Sequence, residues 1–444
     1  MLRLKKIVVL LAAALTLTSC STMNFSVEGL ISAPKLTKEQ SKIHEALIQA
    51  VGSNISLKYP KSGENRSAYV IANIDNEPGE EALVFYEYVG SGKKEGLWVN
   101  LLDKNDNGDW VSVEEIAGTG AEISKVIIAP MGDSNDIEVL VGYQNIANDE
   151  KSLQIYHYDN QEFKVVGTDT YSLLETFDIN NDGSNELIII QKDFRNEKKD
   201  GGYIASLLEM HDGEFYKKNS IKMCSNAVSY VNLVTGVSGN GKNAIYIDSL
   251  TNKNTLQTEI LYCNDNELKN PIEENKKKLL PLCNRPAGYY SADVDGDGIV
   301  EIPTVTPMLG YENAVENEQL LMTNWLEYDK TGELTVKLSG YYSLSDSYAI
   351  MYPKRWAGQV TVKKDNETKE TVFYKYDGDI NGSMTELMRV AVVSEDNRTE
   401  YLNRDYRTVE THGQLYYMVK LPQETDEPLV LTMDELKNSF YIVA

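Results

Sequence analysis

Two nine-residue stretches place oxygen-bearing side chains at alternate positions: Asp178-Ile-Asn-Asn-Asp-Gly-Ser-Asn-Glu186 and Asp293-Val-Asp-Gly-Asp-Gly-Ile-Val-Glu301. Both read D-x-[DN]-x-D-G-x-x-E. A hard cation such as Ca²⁺ takes roughly six to eight oxygen ligands, and short loops supply them from alternate residues. Gly183 and Gly298 permit the sharp turn that brings a backbone carbonyl inward at the seventh position. Each stretch runs into an apolar strand, residues 187–190 or 302–305. The setting is therefore strand–loop–strand, unlike the helix–loop–helix of an EF-hand. The chemistry this spacing points to is structural. An ion at a hairpin corner holds together carboxylates that otherwise repel.

Catalytic signatures are scarce. His44, His157, His211 and His412 are scattered, with no H-E-x-x-H. The stretch from Gly236 through Ser238 ends on Asn240 where G-x-S-x-G requires glycine. Gly90-Ser-Gly-Lys93 lacks the upstream glycine and the Ser or Thr of a phosphate loop. Acidic residues abound, but no two are singled out as a glycosidase pair. The 28 tyrosines read chiefly as strand formers with polar tips.

The acidic frame recurs in decayed form. Asn73, Asp75, Glu77 and Glu81 keep its oxygens, although Pro78 takes the glycine position. The stretch 130–138 has lost the first ligand, and 236–244 has lost its carboxylates. Anchored at Asn73, Pro130, Asp178, Gly236 and Asp293, the intervals are 57, 48, 58 and 57 residues. Alternating runs such as 152–158, with tight turns at Asp159-Asn160, Asp212-Gly213, Asn264-Asp-Asn266 and Lys330-Thr-Gly332, predict antiparallel strands. About four strands per unit and a period near fifty predict a mainly β fold: a β-propeller of about five four-stranded blades over 37–343.

The unit resembles the FG-GAP or VCBS-type repeat of integrin-like propellers, and residues 36–86 resemble clostridial lipoproteins carrying such repeats. The resemblance spans about 67–343 and is specific at the two intact loops. It implies cation ligands at Asp178, Asn180, Asp182 and Glu186, and at Asp293, Asp295, Asp297 and Glu301. The carbonyls of Ser184 and Ile299 would supply the seventh-position oxygens. The implied cofactor is structural Ca²⁺.

The first residues predict a compartment. Arg3, Lys5 and Lys6 precede an apolar run, residues 7–15, and then Leu17-Thr-Ser-Cys20. This is a secretory signal over 1–19, too short to span a bilayer. Its ending resembles the bacterial lipobox, which implies lipidation at Cys20, a tether over 20–36, and attachment to the extracytoplasmic face of the cell membrane. Two acyl chains suffice for stable anchoring where one is marginal. The formal charge is −24, and loss of the basic leader makes the mature chain more negative still. Such a charge repels polyphosphate, so no nucleic-acid partner is expected. Cys224, Cys263 and Cys283 show no C-x-x-C spacing, which speaks against zinc and for burial as plain apolar residues.

Thr37-Lys-Glu-Gln40 has capping-box form and opens a helix with one apolar face, expected to pack on the propeller. Residues 344–444 read as a small α+β domain. Strands are expected near 348–352, 359–363, 371–376, 387–393 and 415–420, and a terminal helix opens at Thr432. The segment 377–385 imitates the acidic frame but ends on Thr385 and reads as a polar turn.

Together these features predict a membrane-anchored, Ca-stabilised scaffold that binds a protein or an envelope glycan rather than an enzyme. The alternative is a glycan-active hydrolase or lyase with acidic catalytic residues in the propeller channel. A transporter's solute-binding lipoprotein fits poorly, since no alternating βα pattern is present.

Overall fold

The computed structural model describes residues 36–443, except 91–94, 133–135, 146–149, 194–201, 316–317, 424–425 and the single positions 212 and 225. The leader, Cys20 and nearly all of the tether lie outside the described residues.

The described residues are mainly β and form six antiparallel sheets. Sheet 1 contains Ile55–Leu57, Tyr69–Ala72, Glu81–Tyr88, Leu97–Lys104 and Trp110–Ala117. Sheet 2 is a four-stranded meander of Glu122–Met131, Asp136–Gln144, Lys151–Asp159 and Glu162–Tyr171. Sheet 3 repeats it with Leu173–Phe177, Glu186–Lys192, Tyr203–His211 and Glu214–Lys222. Sheet 4 comprises Ala227–Val237, Asn243–Thr251, Thr255–Asn264, Glu267–Lys269 and Arg285–Pro286. Sheet 5 orders Ile302–Pro307, Leu321–Tyr328, Leu334–Ser343 and Tyr348–Met351, with Phe440–Ile442 added at its edge. Sheet 6 orders Val360–Lys364, Thr371–Lys375, Thr385–Ser394, Leu415–Lys420 and Arg407–His412.

Strand sequences show why the sheets stack. Leu187, Ile188, Ile189 and Ile190 are all buried, so both faces of that strand are covered. The outer strand Glu214–Lys222 instead alternates exposed and half-buried residues. Residues at positive φ make the hairpin turns, as at Asn160-Gln161 and Asp265-Asn266.

Hydrophobic cores join the sheets in sequence order. Phe85 and Val99 of sheet 1 pack with Val139 and Tyr156 of sheet 2. Leu140 and Ile155 meet Leu187 and Ile189 of sheet 3, whose Ile188 and Ile190 face Ile245 and Ile247 of sheet 4. Tyr246 and Ile260 then pack with Ile302 and Leu326 of sheet 5, and Tyr341 and Ile350 with Val362 and Phe373 of sheet 6. Helix α1 (Lys38–Val51) closes the start of the series by setting Ile43 and Leu47 against Val84 and Tyr86. Thr37 and Gln40 form the capping box that begins it.

Five sheets have their main strands within 55–351, matching the five expected units in number, and sheet 6 falls in the C-terminal stretch expected to carry an antiparallel sheet. Each sheet is open, and no closed barrel is present among the described residues. The boundary expected at 343/344 falls inside sheet 5. Tyr348–Met351 is a strand of sheet 5, and Phe440–Ile442 returns to pair with it. The last hundred residues therefore share a core with sheet 5 instead of forming a separate unit. Helix α2 (Glu395–Asn403) and the strand Arg407–His412 were not expected, whereas helix α3 (Met433–Ser439) starts at the capping box of Thr432.

Candidate functional site: two acidic loops at sheet joints

Both intact acidic stretches are loops that lead directly into a strand of their sheets, buried where it leaves the loop. Loop 178–186 links Leu173–Phe177 to Glu186–Lys192. Loop 293–301 precedes Ile302–Pro307 and is closed at its base by an antiparallel bridge between Ala292 and Glu301. Each loop also reaches the preceding sheet. Asn185 forms a parallel bridge with Met131 and donates its amide to the Pro130 carbonyl at 3.0 Å. Ile299 bridges Val237, with Val237 N donating to Gly298 O and Val300 N to Val237 O. The acidic loops are thus the joints between sheets 2 and 3 and between sheets 4 and 5.

A shared skeleton shapes them. The first acid accepts backbone N–H groups from across the turn. Asp178 takes those of Asp182 and Gly183, each at 3.0 Å, and Asp293 takes those of Gly296, Asp297 and Gly298. Gly183 and Gly298 stand at φ 97° and 86°, where a side chain would be strained. The ninth-position glutamate is buried and accepts the N–H of the second residue. Glu186 takes that of Ile179 at 3.1 Å, Glu301 that of Val294 at 2.9 Å, and Glu81 that of Ile74 at 2.8 Å in the decayed loop.

Burial raises all three glutamates: Glu81 to about 6, and Glu186 and Glu301 to about 7. For Glu186 the neighbouring Asp182 adds to the effect. For Glu301 the Lys337 ammonium pulls the other way. Asp182 and Asp297 go down: burial opposes their charge, but donors from Ser184 and Asn180, or from Lys337 and Ile299, outweigh it.

The interiors of the two loops differ. In loop 178–186 the Asn180 amide donates to Asp182 Oδ2 and Glu186 Oε1, each at 2.7 Å. Its oxygen accepts from Asp182 N at 2.8 Å. Ser184 donates through N and Oγ to Asp182 Oδ1. The loop borders an open cleft of about 200 Å³ whose far wall carries Glu209, His211 and Lys218. The loop carries two aspartates, a glutamate and an asparagine as oxygen donors, but its three carboxylates are not drawn together as those of loop 293–301 are. In loop 293–301 the carboxylate oxygens of Asp293, Asp295 and Asp297 lie within 4.8 Å of one another. There the Lys337 ammonium reaches Asp297 at 2.6 Å, Glu301 at 2.7 Å and Asp295 at 3.2 Å. No sequence pattern marks Lys337, which lies 36 residues beyond Glu301.

Loop 73–81 is a polar turn. Asn73 accepts from Asn76 N, and Asp75 from Glu77 N. Glu138 is fully buried and bonded to His157 Nδ1 at 2.8 Å, while 133–135 lie outside the described residues. The stretch 377–385 links two adjacent strands of sheet 6. Cys224, Cys263 and Cys283 are free and buried.

No family model matches the chain, and no curated protein matches it. Among solved structures it is similar to the exotype rhamnogalacturonan lyase YesX, at 10% identity and a TM-score of 0.31, with 75% of this chain and 73% of that one covered. A Bacillus licheniformis rhamnogalacturonan lyase gives 9% identity and 0.29, covering 74% and 76%. The periplasmic gluconolactonase of Pseudomonas aeruginosa gives 9% and 0.29, covering 74% and 86%. Superpositions this loose assign neither a fold nor an activity to this chain.

Proposed function

We propose that this chain is a bacterial lipoprotein, anchored through Cys20 on the extracytoplasmic face of the membrane. Its stacked FG-GAP/VCBS-type sheets form a Ca-stabilised scaffold that binds a protein or an envelope glycan. One observation carries this reading. The two intact acidic loops occupy equivalent places, and each forms the joint to the preceding sheet. A cation held at such a joint stiffens the stack without taking part in chemistry. Asp178, Asn180, Asp182 and Glu186, with the Ser184 carbonyl, are the residues that would hold it. Extracellular calcium modules bind with Kd of about 10⁻⁴ to 10⁻³ M. At a few millimolar calcium, one such site adds roughly 0.5–2 kcal/mol by mass action.

Two measurements test the proposal. Chelation is expected to lower the thermal midpoint of the wild-type protein, and Asp178→Ala to abolish most of that response. Cys20→Ser is expected to move the protein from the membrane to the soluble fraction. Retention of Cys20→Ser on the membrane would exclude the anchor. A flat calorimetric titration at millimolar calcium would exclude the cation.

A further inference from the structure

In loop 293–301 the position among the carboxylates is taken by a side chain of the same sheet. Lys337 donates to Asp295, Asp297 and Glu301, three of the four acids in the motif. The fourth, Asp293, has both oxygens engaged by backbone N–H groups. Lys337 arrives there through a β-bulge. Trp325 pairs with Leu338 and Leu326 with Val336, which leaves Lys337 as the extra residue, turned out of the strand's alternation.

The same irregularity recurs in three other sheets. Its extra residue is Val113 in sheet 1, Val166 in sheet 2 and Lys218 in sheet 3. Lysine therefore stands at the bulge in the two sheets whose acidic motif is intact, and valine in the two whose motif has decayed. Lys218 donates to Glu209 on the neighbouring strand, and a neutral amide fills the interior of loop 178–186.

We propose that Lys337 is the built-in cation of loop 293–301, a tethered positive charge that closes the loop and keeps divalent ions out. The loop is then metal-independent, and the divalent role falls to loop 178–186; that second half rests on the calcium reading above. A tethered competitor acts at an effective concentration in the millimolar range or higher, comparable with extracellular calcium. Calcium would also have to expel an ammonium that makes three charge-assisted hydrogen bonds beside a fully buried glutamate. In loop 178–186 it has only to turn an amide.

The test is calcium chloride titration of the full-length mature protein by calorimetry, in an Asp178→Ala background that silences the first loop. That protein is expected to take up no calcium. Adding Lys337→Met is expected to create one site per chain, at least about tenfold tighter than any residual binding. Lys337→Arg is expected to keep calcium out. Calcium uptake by Asp178→Ala that Asp295→Ala removes would overturn the proposal, as would a Lys337→Met protein that gains no site. Because loss of Lys337 could prevent folding, reductive methylation of wild-type lysines supplies an independent reading. Lys337 is expected to stay protected with and without millimolar calcium, and its exposure by calcium would overturn the assignment. A wild-type chain that binds no calcium would sink the role of loop 178–186 but leave the gain in Lys337→Met readable.

Discussion

The completely buried pair Asp248–Arg285 sets up a prediction with an internal ordering. Arg285 lies 2.8 Å from Asp248 Oδ1, and neither side chain is exposed. Arg285 also donates to Thr258 Oγ1, the Cys283 carbonyl and the Tyr289 carbonyl. Asp248 accepts from Thr258 Oγ1 at 2.6 Å, Ser291 N at 2.7 Å, Ser291 Oγ at 2.8 Å and Asn232 Nδ2 at 3.1 Å. Burial alone would raise its carboxyl; Arg285 and these donors outweigh it and hold the group below the ordinary range. The cluster ties four strands of sheet 4 to Ser291, at the entry to loop 293–301.

Breaking a buried pair costs about 3–5 kcal/mol. Arg285→Met leaves Asp248 with four donors, so its cost belongs near the lower end of that range. Asp248→Ala strands a buried guanidinium and orphans Ser291 N, an omission worth about 1–3 kcal/mol, so it belongs at or above the upper end. Urea unfolding followed by tryptophan fluorescence measures both. A loss below about 1 kcal/mol for Arg285→Met, or a smaller loss for Asp248→Ala than for Arg285→Met, would refute the reasoning. The depressed carboxyl also fixes a pH dependence. Its contribution is present above the unfolded aspartate pKa of about 3.9 and disappears as pH falls through the lower folded value.

Three other outcomes are expected. The hydrogen bond to buried Glu138 raises His157 above its ordinary value, and burial raises Glu138. A raised histidine stabilises below its unfolded pKa, and that contribution is lost as pH rises through the folded value. The gap in thermal midpoint between wild type and His157→Gln should therefore shrink from about pH 6 to pH 9; a constant gap would contradict the pairing. At Gly340 a Cβ would lie 2.2 Å from the Ile350 carbonyl oxygen, so Gly340→Ala should cost at least about 2 kcal/mol in urea unfolding. Removing residues 440–443 should raise hydrogen exchange along Tyr348–Met351, which loses its outer neighbour.

The acidic motif, the period near 57 residues and most strands of the stack were legible, because each rests on local chemistry: alternation, turn residues, and oxygens at fixed spacing. What escaped depends on contacts distant in sequence. Lys337 enters loop 293–301 only because a bulge redirects it, and a single extra residue leaves no periodic trace. Helix α2 buries no residue fully, so it carries no apolar stripe to read. Phe440–Ile442 is three residues long and gains its identity from the edge it joins. Repetition predicts that neighbours stack, as the shared cores show, but whether the first unit meets the last depends on contacts far apart in sequence that no local pattern records.

Each core is shared by two sheets adjacent in the chain, so damage spreads locally. A destabilised unit in the middle of the series would loosen its own strands and those of the units on either side before the remainder gave way.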